Sequence, residues 1–66
     1  MKLKINAEIH EFEGSLTVQE LLASLDMGGK PVVVELNKEA IFPRDYTSIQ
    51  LSDGDSLEII TIAAGG

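Results

Sequence analysis

The chain has 66 residues, and eleven acidic against five basic side chains leave it a net charge of -6. A chain of this length makes one small domain, which buries only about 60% of the surface its unfolded form exposes. The acidic balance argues against nucleic acid and anionic membrane as partners, since phosphate binding needs a basic footprint, and the lack of cysteine excludes disulfides and thiolate metal sites.

Met1, Leu3 and Ile5 alternate with Lys2, Lys4 and Asn6, the pattern of a half-buried strand rather than a signal peptide. Asn6-Ala7 fits a two-residue turn, though Ala in place of Gly weakens the type I′ signal. A second strand is expected from Glu8 to Glu13. A two-residue turn pairs Met1 with Phe12 and Leu3 with His10, leaving Ile9 outside; a longer turn puts Ile9 inside. Gly14-Ser15 ends the hairpin.

The helix signal is the clearest in the chain. Thr17 and Glu20 form a Thr-x-x-Glu capping box, and Leu16 and Leu21 are spaced for a hydrophobic staple. Val18, Leu21, Leu22 and Leu25 line one helical face. Gly28-Gly29 are expected to stop the helix after nine or ten residues, with Pro31 preventing its continuation. So short a helix needs the sheet beneath it.

Pro31 to Leu36 reads as a third strand, with Val32, Val34 and Leu36 on one face and Val33 and Glu35 on the other. Asn37-Lys38 turns the chain into a short strand, Glu39 to Phe42, ended by Pro43. Arg44 to Ser48 is polar and irregular, with a single helical turn around Tyr46, and Ile49 and Leu51 anchor this crossover to the core. Asp53-Gly54-Asp55 is a turn, and Ser56 to Ile62 the last strand. The first and last strands are the most apolar, which favours pairing them, parallel, at the sheet centre. The result is an α+β layout of the β-grasp, or ubiquitin-like, kind: a mixed sheet of four to five strands on one helix. Residues 1–62 form this domain, and residues 63–66 are expected to be a flexible tail.

The inventory for catalysis is thin. There is one histidine and no thiol, and no Ser-His-Asp set has independent support. Strand alternation puts Glu11 and Glu13 on the face opposite His10, which argues for a surface or core-edge histidine over a metal ligand. Asp53-Gly54-Asp55 lacks the further oxygen ligands of a calcium loop, and Gly28-Gly29-Lys30 lacks the frame of a phosphate loop. No metal site and no catalytic residue are expected.

Two features remain. If Leu57, Ile59 and Thr61 face the helix, Ile60 and Ile62 lie on the open face of the sheet, joined by Val33 as an apolar docking patch; the reverse assignment would bury Ile60 and Ile62. Beyond this strand come Ala63, Ala64, Gly65 and Gly66, with almost no side chains. Extended at roughly 3.3 Å per residue, they would carry a terminal carboxylate on the order of 13 Å from the strand. Glycines also thread channels too narrow for other residues. Two glycines can end a chain by accident, but here they follow a core strand in a chain with no other chemistry.

Val34-Glu35-Leu36-Asn37-Lys38-Glu39, Pro43-Arg44, Asp53-Gly54-Asp55-x-Leu57-Glu58-Ile59 and the final Ala64-Gly65-Gly66 together resemble the ThiS family, the sulfur-carrier proteins of thiamine biosynthesis. The likeness includes the helix start Leu16-Thr17-Val18-x-Glu20-Leu21-Leu22. Ala7 departs from the Gly often found after Asn, and Tyr46 stands near a position often held by Trp. The resemblance implies that Gly66 is adenylated from ATP by a ThiF-like adenylyltransferase, converted to a thiocarboxylate, and used to give sulfur to a ThiG-like thiazole synthase. It implies a protein carrier rather than an enzyme, with no bound cofactor. A chain with neither a signal peptide nor an apolar run of the ~20 residues that cross a bilayer is expected to be cytoplasmic, and a small acidic carrier to be monomeric when free. The small subunit of molybdopterin synthase, a tRNA-thiolation or ubiquitin-like modifier, and an inert interaction module are the other readings.

Overall fold

The computed structural model describes residues 1–62. In chain order it contains β1 (Lys2–Ile5), β2 (Glu8–Glu11), the helix α1 (Val18–Ser24), β3 (Val32–Leu36), β4 (Glu39–Ile41), a 3-10 turn (Pro43–Asp45) and β5 (Ser56–Thr61). The strands form one sheet in the order β2-β1-β5-β3-β4. β1 and β5 run parallel and the other neighbours antiparallel. This is the α+β, β-grasp layout expected, with five strands.

Both hairpins close through two-residue turns in the left-handed region, at Asn6 (φ 49°) and Ala7 (φ 72°) and again at Asn37 (φ 50°) and Lys38 (φ 71°). Positive φ at both central residues defines the type I′ turn, whose twist matches that of the flanking strands. The first turn pairs Leu3 with His10 and Lys4 with Ile9, so of the two possible registers the short-turn one holds and Ile9 is exposed. Ladder pairing stops at Glu11 rather than Glu13, although Phe12 still exchanges hydrogen bonds with Met1 at both its N–H and its carbonyl.

The core forms where the inward residues of three strands meet the helix: Leu3, Ile5, Val34, Leu57 and Ile59 against Val18, Leu21 and Leu22. Tyr46 and Leu51, from the crossover, close it. Each aliphatic side chain so buried contributes about 1.5–3 kcal/mol relative to exposure.

The capping box is present in both directions: Glu20 N–H donates to Thr17 Oγ1 at 3.1 Å, and Thr17 N–H to Glu20 Oε1 at 2.8 Å. The next free donors of the first turn find the crossover, Val18 N–H on Ile49 O and Gln19 N–H on Tyr46 O, each at 3.0 Å. The helix start therefore has few unsatisfied donors, and the irregular segment is fixed by what it accepts.

At its other end the helix is shorter than expected. It has seven residues and stops not at Gly28-Gly29 but at Asp26, whose φ is 61°. Met27 N–H bonds to Leu22 O and Asp26 N–H to Ala23 O, the two bonds of a Schellman motif. Leu22 and Met27 both join the core, so hydrophobic closure ends the helix before the glycines are reached. The other limits move by one residue: β3 begins at Val32 rather than Pro31, β4 ends at Ile41 rather than Phe42, and β5 ends at Thr61 rather than Ile62. The turn near Tyr46 is a 3-10 turn that Tyr46 terminates.

Candidate functional site

β5 is held on both flanks as far as Ile59 and on one flank to its end. On one side it pairs with β3 from Leu36–Leu57 to Val32–Thr61, and Ile62 N–H continues the ladder to Pro31 O at 3.0 Å. On the other, β1 turns away after Ile5, and the Asn6 side chain takes its place, donating Nδ2 to Ile59 O and accepting Ile59 N–H on Oδ1. Asn37, at the same position of the second hairpin, accepts Ser56 N–H on its Oδ1. Each hairpin thus spends its turn asparagine on the backbone of the central strand.

Alternation along β5 turns Leu57 and Ile59 inward and leaves Ile60 55% exposed on the open face. Thr61, whose place in the alternation is on the helix side, is also exposed. Val33 lies directly opposite Ile60 and is 41% exposed. Phe42, 58% exposed, is one residue beyond β4, and the Val34–Ile41 pairing sets it abreast of Val33. Phe42, Val33 and Ile60 therefore make an apolar row across three strands. The Arg44 guanidinium lies 5.1 Å from the Phe42 ring centroid, a cation–π contact at one end of the row. Phe42 was not among the residues singled out from the sequence; the signal for it was its alternation with Ile41 on a strand paired with β3.

The adjacent row is acidic. Glu35 and Glu58 are direct cross-strand partners, and among the described residues neither has an ion-pair partner. Like charges so placed repel. An apolar row beside a pair of carboxylates suits a partner surface that is apolar with a basic margin.

Ile62, 51% exposed, lines a cleft of about 350 Å³ where the sheet end meets the start of α1. Gln19, Lys30, Pro31, Pro43 and Tyr46 line it too. Tyr46 is only 6% exposed, and its hydroxyl has no hydrogen-bond partner among the described residues. Burial pushes the phenol pKa above its ordinary value.

Residues noted as metal candidates are otherwise occupied. His10 is half-buried and stacks on Phe12 at a ring separation of 6.4 Å. Asp53 accepts Lys2 N–H, and Asp55 accepts Ser52 N–H and the Asn37 amide. Among the described residues no group of His, Asp and Glu could hold a metal ion, and no helix is long and apolar enough to cross a membrane. The expected tail, Ala63, Ala64, Gly65 and Gly66, lies outside the described residues.

The family model for the ThiS family matches residues 3–66. The chain belongs to the ThiS family. It is 44% identical over 50 residues to the sulfur carrier protein ThiS of Bacillus subtilis, covering 76% of each chain. A crystal structure of the thiamine biosynthesis protein ThiS from Geobacter metallireducens superposes with a TM-score of 0.85 at 33% identity, covering the whole of both chains. A thiazole synthase of Paramagnetospirillum magneticum is 41% identical over all 66 residues, but the ThiS-like segment is 20% of that protein. The chain thus spans about one fifth of the length of the thiazole synthase it matches.

Proposed function

We propose that this ThiS-family chain is a sulfur carrier of thiamine biosynthesis, with the Gly66 carboxylate as the group that is loaded. The observation that carries the reading is the family match, which runs through Gly66, in a chain whose last strand is bonded to the β3 side up to Ile62 and to Asn6 up to Ile59.

The chemistry starts from a poor electrophile. A carboxylate has no leaving group, so a ThiF-like adenylyltransferase joins it to the α-phosphate of ATP and releases pyrophosphate. Hydrosulfide, delivered by a sulfur donor, then attacks the acyl carbon, the C–O bond to the phosphate breaks with AMP leaving, and Gly66 is left as a thiocarboxylate. A ThiG-like thiazole synthase takes the sulfur into the thiazole ring. The carrier binds no cofactor of its own, and ATP belongs to the activating partner. Its part is to dock and to position, which lowers the entropic cost of the partner's reaction. Val33, Ile60 and Ile62, extended by Phe42, form the docking surface, and Ala63, Ala64 and Gly65 the arm. The free carrier works as a monomer in the cytoplasm.

Intact-mass analysis of the protein purified from its own cells tests this. An oxygen-to-sulfur exchange confined to Gly66 is the expected result. Deletion of Gly66 with no effect on growth without thiamine would overturn the proposal.

A further inference from the structure

The cleft beneath Ile62 contains an expense the fold does not explain. A buried hydroxyl without a partner costs about 1–3 kcal/mol, and among the described residues Tyr46 carries one at a position where phenylalanine would fill the same space. Buried polar groups left unsatisfied are uncommon in native proteins and mark places where another group is received. The ring serves the core, but the hydroxyl does not.

What lines the cleft describes what would fill it. Pro31, Pro43 and Ile62 offer apolar walls, Lys30 an exposed cation, and Gln19 a side-chain amide. The volume, about 350 Å³, suits a side chain or a short loop. The hydroxyl is out of reach of water, so an incoming group must part the rim. Gly28 and Lys30 form an exposed part of that rim.

We propose that this cleft is a second docking point on the carrier, beside the root of the tail, and that it receives a carboxylate-bearing side chain of the thiazole synthase. The Tyr46 hydroxyl donates to the carboxylate, and Lys30 supplies the opposite charge at the rim. The synthase is the chosen occupant because a segment 41% identical to this whole chain occurs within a thiazole synthase, which ties a chain of this kind to that enzyme, and because Lys30 at the rim complements a carboxylate. The inference rests on the carrier reading and adds to it a site that shares Ile62 with the docking surface but lies apart from the row of Phe42, Val33 and Ile60.

The test compares wild type, Tyr46→Phe, Lys30→Met and the remote control Lys4→Met. Thermal stability of the free chains is measured first, then binding by calorimetry to the recombinant thiazole synthase and adenylyltransferase of the same organism. Tyr46→Phe is expected to keep or raise the melting temperature and to weaken synthase binding about tenfold, the loss of one hydrogen bond to a charged acceptor. Lys30→Met should weaken it about threefold at low salt and less at high salt, the behaviour of an exposed ion pair. Lys4→Met and adenylyltransferase binding should be unaffected. Unchanged synthase binding by Tyr46→Phe overturns the cleft proposal alone. So does a lowered melting temperature, which means that water or the chain's own tail already satisfies the hydroxyl, and so does an equal loss with both enzymes. Failure of the wild type to bind either enzyme removes the carrier reading as well.

Discussion

Asn6 grips the backbone of Ile59 with both ends of its carboxamide, Nδ2 donating to the carbonyl at 3.0 Å and Oδ1 accepting from the N–H at 2.8 Å. The side chain acts as one further peptide unit of β1 after the main chain has turned away. Asn6→Gly keeps the left-handed turn and removes both bonds, so it should cost about 1–3 kcal/mol. Asn6→Ala adds the strain of φ 49° and should cost roughly 1 kcal/mol more. Urea unfolding with an unchanged m-value checks both, and Asn6→Gly at wild-type stability would remove the two bonds from the account.

Asp26 closes the helix in a conformation that suits glycine, and it sets a carboxylate beside the helix carbonyls with no basic residue in the last turn. Asp26→Gly should gain about 0.5–1 kcal/mol, relief of backbone strain outweighing the entropy of glycine. Asp26→Asn should gain about 0.3–1 kcal/mol from the dipole alone. Thermal melts of the two variants test this, and a loss on Asp26→Gly would contradict it.

Tyr46 sets an alkaline limit. Its folded pKa is raised by burial, so the protonated phenol is favoured in the native state more than in the unfolded chain. The contribution is constant below the unfolded value of about 10 and is lost as pH rises through the folded value. Wild type should lose stability above about pH 10 more steeply than Tyr46→Phe; parallel curves would mean that the ring does not titrate with unfolding.

Glu35 and Glu58 face each other across β3 and β5. Glu58→Lys replaces repulsion by attraction and should gain about 0.5 kcal/mol at low salt, fading as salt is added. The same change should weaken docking of a partner with a basic margin, measured by the salt dependence of its binding. A variant unaltered in both stability and binding would show that the pair is neutral in the fold and idle at the interface.

Ile60 is exposed on a strand whose Leu57 and Ile59 are core. Ile60→Asp should cost the fold no more than about 1 kcal/mol, the span of strand propensities, while costing partner affinity 2 kcal/mol or more if Ile60 is an interface hot spot. Circular dichroism and binding separate the two, and an unfolded variant would reverse the importance assigned to its two faces.

The layout was legible in the sequence because each element is marked by its own residues: the Thr17–Glu20 box, the Asn37-Lys38 turn, and the alternation of Leu57, Ile59 and Ile60. The helix end was misplaced because the two glycines are the stronger local sign, whereas closure at Asp26 depends on Met27 meeting Leu22 and the core. Phe42 was overlooked because an aromatic residue before a proline reads as the end of a strand, and its place beside Val33 depends on the register with β3. The double use of Asn6 and Asn37 had no local sign at all, since their partners are Ile59 and Ser56 at the far end of the chain.

The place of β5 between β1 and β3 determines how the molecule bears load. A partner drawing on the chain past Ile62 pulls along β5, whose bonds to β3, β1 and the two asparagines lie across that direction and must yield together rather than one after another. The carrier can therefore be tugged into a tight channel without unravelling from the end being pulled.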